Sequence, residues 1–488
     1  MVIESLKYKI LQQFGFAPTQ EQGQALDTFV SFLTDRDPQA VMILRGSAGT
    51  GKTSLSGAIV RTLLQIRQKV MLLAPTGRAA KVFSLGSGAP AYTIHRRIYR
   101  EKAFAGVDGQ FGLNDNLYTD TLFMVDEASM IANMGLGGTT FGSGCLLDDL
   151  VKFVYQGHND RLLLIGDKAQ LPPVGEEESP ALSASVMEGY GLKVYECDLN
   201  EVLRQSQSSG ILYNATLIRQ MITHDAVTGL PLVRFKGFAD IVMMPGAELV
   251  ESLGDSYHHV GMDETMVITR SNKRANIYNN GIRNMVLDRE EELSSGDMLM
   301  IVKNNYFWTE KEKKESGEGS VGAVPAFLAN GDRAKVLRVS NYIELYGFRF
   351  ATLLLQLPDY DDYEMQVTGM LDTLQSEAPA LTHEQQEELF RQVEEDYQHF
   401  VPLKADRMKS IRQDAYFNAL QIKYAYAVTC HKAQGGQWAH VYVDQGYMTD
   451  DMLTPDYIHW LYTAFTRATD KLFLVNWPKE QTCEPTDL

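Results

Sequence analysis

The segment VMILRGSAGTGKT at residues 41–53 decides the fold, because a short apolar run passes directly into a glycine-rich loop. The residues that follow, SLSGAIVRTLLQ (54–65), have a helical pattern. Glycines let backbone N–H groups wrap a phosphate chain at a helix N-terminus, where Lys52 reaches the β- and γ-phosphates and Thr53 ligates magnesium. The segment therefore predicts a site for ATP and Mg²⁺. Its predicted cofactor-binding residues are Gly46, Ser47, Ala48, Gly49, Thr50, Gly51, Lys52, Thr53 and Ser54.

A metal-bound nucleotide needs a carboxylate, and the apolar run TLFMV ends in a pair of them, Asp126 and Glu127. We expect Asp126 to hold the magnesium and Glu127 to activate the attacking water. Another run, RLLLIG, leads into GDKAQLPPVG (166–175), where Gln170 is placed to sense the γ-phosphate. The catalytic residues predicted from these segments are Lys52, Asp126, Glu127 and Gln170, with Thr53 and Asp126 as metal ligands.

The fold class follows from the spacing of apolar runs. Between about residues 40 and 200 they alternate with polar or helical stretches, which is typical of a buried parallel sheet with crossover helices. A later series could form a second sheet split by a long insertion: MVITR (266–270), DMLMIV (297–302), YAYAV (424–428), HVYV (440–443) and KLFLV (471–475). Within the insertion, DRAKVLRV and IELYGFRFATLLLQL alternate as antiparallel strands do, and Thr382 is a helix N-cap. The charged segment 303–320 is interpreted as an exposed loop.

Composition is that of a soluble multidomain protein. The 488 residues correspond to roughly three domains, and the four cysteines lie too far apart to indicate a zinc site or a disulfide framework. No apolar run approaches the roughly 18 residues that span a bilayer, so we expect a cytoplasmic protein. The net charge of −17 argues against nucleic-acid binding, but residues 359–399 hold twelve acids and one base. The rest of the chain carries only −6, which leaves room for a basic groove.

Eight segments resemble, in this order, the motifs of superfamily 1 DNA helicases of the RecD/Dda/Pif type. They are the phosphate loop, LLAPTGRAAKVF (72–83), AYTIHRRI (91–98), DEAS (126–129), GDKAQLPPVG (166–175), LNEVLRQ (199–205), YAYAVTCHKAQGGQW (424–438) and YTAFTRAT (462–469). The resemblance implies an α/β fold with two RecA-like P-loop domains of parallel sheets, the second interrupted by an SH3-like β insertion with a helical segment. The implied first domain spans 1–205 and contains a Q-type segment and a hairpin insertion at about 100–120. The implied second domain spans 206–302 and 421–488, and the SH3-like insertion between its two parts spans 303–420.

The resemblance assigns further residues to the nucleotide. Arg204 and Arg467 are implied to reach the γ-phosphate as arginine fingers and complete the catalytic set. Gln22, which follows Pro18-Thr-Gln-Glu, is implied to bind the adenine edge through its amide. The alternative for Gln22 is a polar residue at the start of a helix after a threonine cap. Gly435 is implied to lie where the nucleotide and DNA sites meet.

The remaining motif positions are implied to bind single-stranded DNA, with hydroxyls and amides for phosphates and rings for bases. These residues are Thr76, Arg78, Phe83, Thr93, His95, Thr429, His431 and Lys432. Taken singly, each is more often a helix cap or an internally bonded polar group, and Phe83 can be a core residue.

The sequence therefore predicts an ATP-dependent DNA helicase that translocates 5′-to-3′ on single-stranded DNA and unwinds duplex. Direction and strand separation are implied by the resemblance alone. We expect a monomer that acts on single-stranded DNA and on junctions with duplex, with replication or repair proteins as partners and no membrane. One alternative is a DNA-stimulated ATPase or translocase subunit of a repair or nuclease complex. A nucleotide-dependent binding switch is disfavoured, because Glu127, Arg204 and Arg467 are all present.

Overall fold

The structure is a computed structural model, and it describes residues 2–105, 108–135, 142–201, 208–223, 229–316, 325 and 327–483. The chain divides into two compact units. The first comprises Met1–Met244, Ala433–Val443 and Tyr447–Leu488, and the second comprises Pro245–Lys432 and Asp444–Gly446.

The first unit contains a six-stranded parallel sheet. In spatial order its strands are β3 (Ala91–Thr93), β2 (Lys69–Ala74), β6 (Thr121–Val125), β7 (Arg161–Gly166), β1 (Ala40–Gly46) and β8 (Lys193–Leu199). The helices around it are α1 (Val2–Phe14), α2 (Gln20–Thr34), α3 (Lys52–Gln65), α4 (Gly77–Ser87), α5 (Ile94–Ile98), α6 (Leu146–Gln156) and α7 (Ala184–Gly189). Because all the strands are parallel, the segments that follow β1, β6 and β7 meet at one edge of the sheet.

Both faces of the central strands β1, β6 and β7 are buried, which is why these strands are continuous apolar runs. In β1, Met42 and Leu44 belong to a core cluster that also includes side chains of α1, α2 and α3. Val41 and Ile43 belong to a second cluster with side chains of α5 and α6. Since side chains alternate across a strand, the single run VMIL contributes to both cores.

An antiparallel hairpin follows α5, where the sequence predicts an inserted hairpin. β4 (Tyr99–Ala105) pairs with β5 (Asp108–Leu113), and Tyr99 lies opposite Leu113 at its base. The N–H of Asn114 donates to the carbonyl of Ile98 over 2.7 Å, which brings together the two points where the hairpin leaves the unit and returns to it.

Later parts of the chain complete the first unit. Three strands run parallel to one another in the order β17 (Trp438–Asp444), β18 (Ala468–Val475) and β9 (Ile241–Met244). They are accompanied by α8 (Gly210–Thr223) and α15 (Pro455–Phe465). The short helix α14 (Cys430–Ala433), most of which belongs to the second unit, precedes β17 in the chain.

The second unit combines a parallel strand pair with a barrel. β10 (Thr265–Thr269) pairs in parallel with β16 (Ala427–Thr429). α9 (Leu249–His259) precedes β10 in the chain, and α10 (Asn272–Gly281) contacts both strands. The closed barrel consists of β11 (Met298–Ile301), β12 (Arg333–Leu345), β13 (Phe348–Leu357), β14 (Tyr363–Met370) and β15 (Leu420–Tyr424). The unit also contains α11 (Phe307–Ser316), α12 (His383–Gln398) and α13 (Lys404–Arg412), and the last two bury a small core with Phe350 and Met370. Across the described residues, every helix is too short or too polar to cross a bilayer.

The predicted fold class is confirmed, with parallel α/β sheets and a five-stranded barrel in the region of the predicted insertion. Two predictions about single segments are wrong. The DMLMIV run belongs to the barrel as β11, antiparallel to β12 and β15, because strand alternation does not specify the pairing partner. The predicted loop at 303–320 contains α11, which is anchored by buried Trp308, whose Nε1 donates to the carbonyl of Asn418 over 2.9 Å.

Candidate active site

The glycine-rich loop leads directly into α3, which begins at Lys52. Gly49 and Gly51 have φ angles of +77° and +80°, a left-handed conformation that glycine adopts without steric cost. No side chain caps α3 at Gly51, so its first N–H groups are left for an anionic ligand. A Cβ added at Gly46 would lie 2.8 Å from Cγ of Lys52, so glycine is needed for the lysine to fold over the loop.

Lys52 lies across the phosphate loop. Its Nζ donates to the carbonyl of Gly46 and, over 3.4 Å, to that of Ser47. The hydroxyl of Thr50 donates to the same Ser47 carbonyl over 2.8 Å. These bonds hold the ammonium group where it can reach the phosphates of a nucleotide.

Gln22 supports the phosphate loop from α2. Its side-chain oxygen accepts from the N–H of Thr19 over 3.0 Å in a capping box, and its Nε2 donates to the carbonyl of Thr50 over 2.9 Å. Gln22 is 1% exposed, and both ends of its amide are engaged within the protein. This arrangement matches the alternative of a polar residue after a threonine cap. Adenine recognition by Gln22 stays a prediction, and it requires one of these bonds to be exchanged.

The two predicted carboxylates follow β6. The carboxylate of Asp126 accepts from the N–H of Glu127 over 2.9 Å, and the N–H of Asp126 donates to the carbonyl of Leu73 over 3.0 Å. Burial and the neighbouring Glu127 raise the pKa of Asp126 to about 7. Glu127 has a φ of +52°, a conformation that costs a non-glycine residue of order 1 kcal/mol and is concentrated at functional sites.

The oxygen donors at this edge of the sheet suit Mg²⁺. Asp126 is a half-buried carboxylate beside a second negative charge, and a divalent cation would relieve that repulsion. Thr53 is exposed in the first turn of α3. Mg²⁺ is usually held by one or two protein oxygens together with phosphates and water. The described part of the chain has no cluster of three or more His, Cys, Asp or Glu side chains that would enclose a metal.

Gln170 links the predicted base to a predicted arginine finger. It lies in the segment after β7 and is buried. With its amide nitrogen facing Glu127, it donates to Oε2 over 3.2 Å, and its oxygen accepts from Nη2 of Arg467 over 3.3 Å. In this orientation of the Gln170 amide, three predicted catalytic residues form one chain of hydrogen bonds.

Arg467 is 2% exposed and follows α15. Its Nε donates to the carbonyl of Thr463, its Nη1 to the carbonyl of Gly436 and its Nη2 to the hydroxyl of Thr466, over 3.1, 3.1 and 3.3 Å. These partners are neutral oxygens, so the buried guanidinium charge is not cancelled by a direct carboxylate partner among the residues that the structure describes. Contact with a γ-phosphate stays a prediction. Arg204 lies outside the described residues.

Sequence reasoning misses two residues that touch the phosphate loop. The hydroxyl of Tyr462 accepts from the N–H of Ala48 over 3.0 Å and donates to Oδ2 of Asp167 over 2.7 Å. Arg219, on α8, donates to the hydroxyl of Ser47. Tyr462 lies in the segment YTAFTRAT, five residues before the predicted arginine finger, whereas no motif marks Arg219.

Three residues predicted to bind DNA have structural roles in the first unit. The hydroxyl of Thr76 caps α4 by accepting from the N–H of Ala79 over 3.2 Å, and that of Thr93 caps α5 by accepting from the N–H of Arg96 over 3.4 Å. Phe83 is 1% exposed in the first core cluster, so a base cannot stack on its ring in this structure. The core alternative therefore describes Phe83, while DNA contact by the two threonines stays a prediction.

The segment GGQW lies against the start of α4. Gly435 has a φ of +72°, and a Cβ added there would lie 3.0 Å from the hydroxyl oxygen of Thr76. Arg78 donates to the carbonyl of Gln437 over 2.6 Å, and its guanidinium lies 4.6 Å from the ring centre of Trp438. Two segments that the sequence assigns to the nucleotide and DNA sites are thus in contact.

His95 lies on α5, half-buried, with its ring centre 5.6 Å from that of Tyr99. Burial lowers the pKa of His95 to about 4, so the imidazole is neutral at physiological pH. Any contact it makes with DNA therefore depends on stacking or hydrogen bonding rather than on charge.

The other three predicted DNA contacts lie in the second unit. Thr429 ends β16, and His431 is exposed in the helix that follows. Lys432 donates to the side-chain oxygen of Asn330. Burial and the nearby Lys423 lower the pKa of Lys432 to about 8, and an anionic ligand would raise it again. Two lysines close together are a suitable partner for a phosphate, and DNA contact by this group stays a prediction.

Two protein-family models match the chain. One is described as an AAA domain and matches residues 17–229, which include the phosphate loop, Glu127 and Gln170. The other is described as a UvrD-like helicase C-terminal domain and matches residues 424–475, which include Gly435 and Arg467.

Named relatives match parts of the chain. The ATP-dependent RecD2 DNA helicase of Deinococcus radiodurans is 30% identical over 157 residues, which cover 32% of this chain and 18% of that protein. The ATP-dependent DNA helicase Dda of Enterobacteria phage T4 is 26% identical over 267 residues, covering 53% of this chain and 55% of that protein. A crystal structure of a Bacteroides Pif1 helicase, in complex with ADP-AlF3 and single-stranded DNA, covers 96% of this chain and 95% of that chain at 13% identity, with a TM-score of 0.46.

The fold and the site define a P-loop ATPase, because a parallel sheet carries the phosphate loop after β1 and a carboxylate pair after β6. The order of the eight motifs and the two matching domain families narrow the assignment. The chain resembles the superfamily 1 helicases of the RecD/Dda/Pif type, through an AAA domain at 17–229 and a UvrD-like helicase C-terminal domain at 424–475.

Proposed function

We propose that this protein is an ATP-dependent DNA helicase that translocates 5′-to-3′ on single-stranded DNA and unwinds duplex DNA. The observation that carries the proposal is the cluster of Glu127, Gln170 and Arg467, which hydrogen bonds connect when the amide nitrogen of Gln170 faces Glu127. It brings together a base for the attacking water and a cation for the γ-phosphate, two groups that take part in ATP hydrolysis. The names of the two relatives, both ATP-dependent DNA helicases, support the choice of substrate.

In this proposal the phosphate loop and the two carboxylates perform hydrolysis. The N–H groups of α3 and the ammonium of Lys52 bind the phosphates. Thr53 and Asp126 hold Mg²⁺, which supplies positive charge against the charge that develops on the phosphate oxygens. Glu127 accepts the proton of the attacking water, and Gln170 orients its carboxylate through their hydrogen bond.

Arg467 and Arg204 are the proposed arginine fingers. The donors of Arg467 are held by neutral oxygens, so its charge is available to a phosphate when those bonds are exchanged. Fingers of this kind contribute about 10³- to 10⁵-fold to hydrolysis. Gln22 contributes by holding the phosphate loop at Thr50.

The nucleotide state reaches the DNA through the segment that carries Gln170. The neighbouring carbonyl of Leu171 accepts from Nε2 of Gln434 over 2.7 Å, and Gln434 precedes Gly435 in the segment that lies against the start of α4. A shift of Gln170 on hydrolysis is therefore transmitted to residues proposed to bind single-stranded DNA, among them Arg78. The hairpin β4–β5 is the proposed element that separates the strands at a junction.

The first test is hydrolysis of ATP with and without single-stranded DNA. We expect DNA to stimulate the wild-type protein and Lys52→Ala to lower the rate at least about 100-fold, because the phosphates lose their main cationic ligand. Lys152→Ala is the matched control, since Lys152 is an exposed lysine on α6 paired with Asp148. Full activity of Lys52→Ala would contradict the assignment of the phosphate loop. Stimulated hydrolysis without any unwinding would favour a translocase subunit instead.

A further inference from the structure

Tyr462 is a buried residue of α15 that connects two parts of the proposed site. It is 1% exposed, and its hydroxyl makes two hydrogen bonds within the first unit. One is accepted from the N–H of Ala48 in the phosphate loop, over 3.0 Å, and the other is donated to Oδ2 of buried Asp167, over 2.7 Å. Burial raises the pKa of Tyr462 well above its usual value, so the hydroxyl keeps the proton that it donates.

The segment from Asp167 to Leu171 is attached to α15 at several points. Nδ1 of His459 lies 2.9 Å from the carbonyl of Ala169, and the N–H of Leu171 donates to the hydroxyl of Thr463 over 2.8 Å. Tyr462 differs from these two residues because it also holds the phosphate loop. It is therefore placed to keep the loop and the segment with Gln170 at a fixed spacing.

We propose that Tyr462 is a positioning residue for ATP hydrolysis, which sets the phosphate loop relative to Gln170 by joining the backbone of Ala48 to the carboxylate of Asp167. The proposal rests on the function proposed above, since it concerns the rate of that reaction. The carboxylate of Asp167 also accepts from the N–H of Ala169 over 3.0 Å, directly before Gln170. A change at the hydroxyl of Tyr462 thus reaches Gln170 through two hydrogen bonds.

Loss of the hydroxyl would remove a partner from both groups at once. The N–H of Ala48 and one oxygen of Asp167 would lose their bonds to Tyr462, and both then adjust their positions to regain a partner. Hydrolysis depends on the placement of the reacting groups to within a fraction of an ångström, whereas binding of the nucleotide depends on the whole loop. The turnover number should therefore fall more than the affinity.

The experiment is steady-state hydrolysis of ATP by the full chain with Tyr462→Phe, in saturating single-stranded DNA. We expect kcat to fall about tenfold or more, while KM for ATP changes less than about twofold, as for an interaction that acts on the transition state. Tyr155→Phe is the matched control, because the hydroxyl of Tyr155 donates to the carbonyl of Ala40 over 2.9 Å in the same unit, away from the phosphate loop. Binding of a fluorescent ADP analogue, unchanged in Tyr462→Phe, shows that the site is folded.

A double-mutant comparison separates a local role from a general loss of stability. Asp167→Asn removes the carboxylate charge to which the Tyr462 hydroxyl donates. We therefore expect kcat of the double variant Asp167→Asn/Tyr462→Phe to be less than about twofold below that of Asp167→Asn alone. Full additivity of the two effects would overturn the proposed link, as would a wild-type kcat for Tyr462→Phe or an equal fall in Tyr155→Phe. A wild-type protein that does not hydrolyse ATP would overturn the proposed function as well, whereas an active wild type with an unaffected Tyr462→Phe would overturn the role of Tyr462 alone.

Discussion

The hydroxyl of Tyr99, at the base of the hairpin, donates to Oδ2 of Asp149 on α6 over 2.7 Å. The same buried carboxylate accepts from the N–H of Ser143 over 2.9 Å. A Cβ added at Gly142 would collide with this carboxylate, so the residue before Ser143 must be glycine for the contact to form. One carboxylate therefore ties the hairpin to the body of the first unit.

This contact predicts that Tyr99→Phe separates unwinding from hydrolysis. Loss of a hydrogen bond to a buried charge costs about 1.5–3 kcal/mol, and here it loosens the base of the hairpin without touching the phosphate loop. We expect the unwinding rate of a forked duplex to fall about fivefold, while DNA-stimulated hydrolysis stays within about twofold of the wild type. Tyr195→Phe is the control, because Tyr195 makes a similar bond to Asp35, over 2.6 Å, outside the hairpin. Equal losses of unwinding and hydrolysis in Tyr99→Phe would contradict the prediction.

Gln22→Ala tests whether Gln22 acts on the phosphate loop or on the base. The variant leaves the carbonyl of Thr50 without its donor, which costs about 1–3 kcal/mol, so we expect KM to rise about tenfold. If the effect comes from the loop, KM rises equally for ATP and GTP, since both place the same phosphates there. Thr19→Ala removes the helix cap alone and serves as the control. A rise confined to ATP would instead establish adenine recognition.

Asp332 gives the second unit a pH-dependent stability. Burial raises its pKa from 3.8 to about 7, although it accepts from the hydroxyl of Tyr360 and the N–H of Ala329 over 2.6 and 2.7 Å. Between pH 3.8 and about 7 the folded protein keeps a proton on Asp332 that the unfolded chain has released. The free energy of unfolding is therefore highest at low pH and falls as the pH rises to about 7. The negative charge of nearby Asp359 also raises the pKa of Asp332.

Asp332→Asn removes this titration and keeps an acceptor for both donors. The quantity to measure is the difference in Tm between Asp332→Asn and the wild type, by thermal unfolding at pH 5 and at pH 8. We expect this difference to be a few degrees larger, in favour of the variant, at pH 8 than at pH 5. A difference in Tm between variant and wild type that is the same at both pH values would show that Asp332 does not titrate in this range.

Glu127→Gln tests the proposed base. The amide keeps an acceptor for Gln170 but cannot take the proton of the attacking water, so we expect hydrolysis to fall about 10²- to 10³-fold with binding of ATP retained. Glu188→Gln, at an exposed position of α7, should have no effect. Hydrolysis above about a tenth of the wild-type rate in Glu127→Gln would exclude this residue as the base.

The sequence is sufficient for the parts of the site that depend on local chain order. The phosphate loop, Asp126 and Glu127 each follow a buried strand, and parallel strands bring their carboxyl ends to one edge. The helix cap at Thr382 is equally local, and the structure shows its capping box.

The remaining features depend on contacts between distant residues. Tyr462 and Asp167 are 295 positions apart, and no spacing rule predicts that a tyrosine of α15 will bond the phosphate loop. The partners of Gln22 are hidden for the same reason, because its amide has the same chemistry toward a carbonyl as toward adenine. The helix α11 is missed because its sequence is mostly charged and has no apolar pattern that predicts a buried face. A single side chain, Trp308, anchors it.

The proposed helicase activity is tested most directly by unwinding of two labelled partial duplexes, one with a 5′ single-stranded tail and one with a 3′ tail, with and without Mg-ATP. We predict that the wild-type protein unwinds only the 5′-tailed duplex and only with Mg-ATP, and that Lys52→Ala unwinds neither. Unwinding from the 3′ tail would contradict the proposed direction, and unwinding by Lys52→Ala would contradict the proposed coupling to ATP hydrolysis.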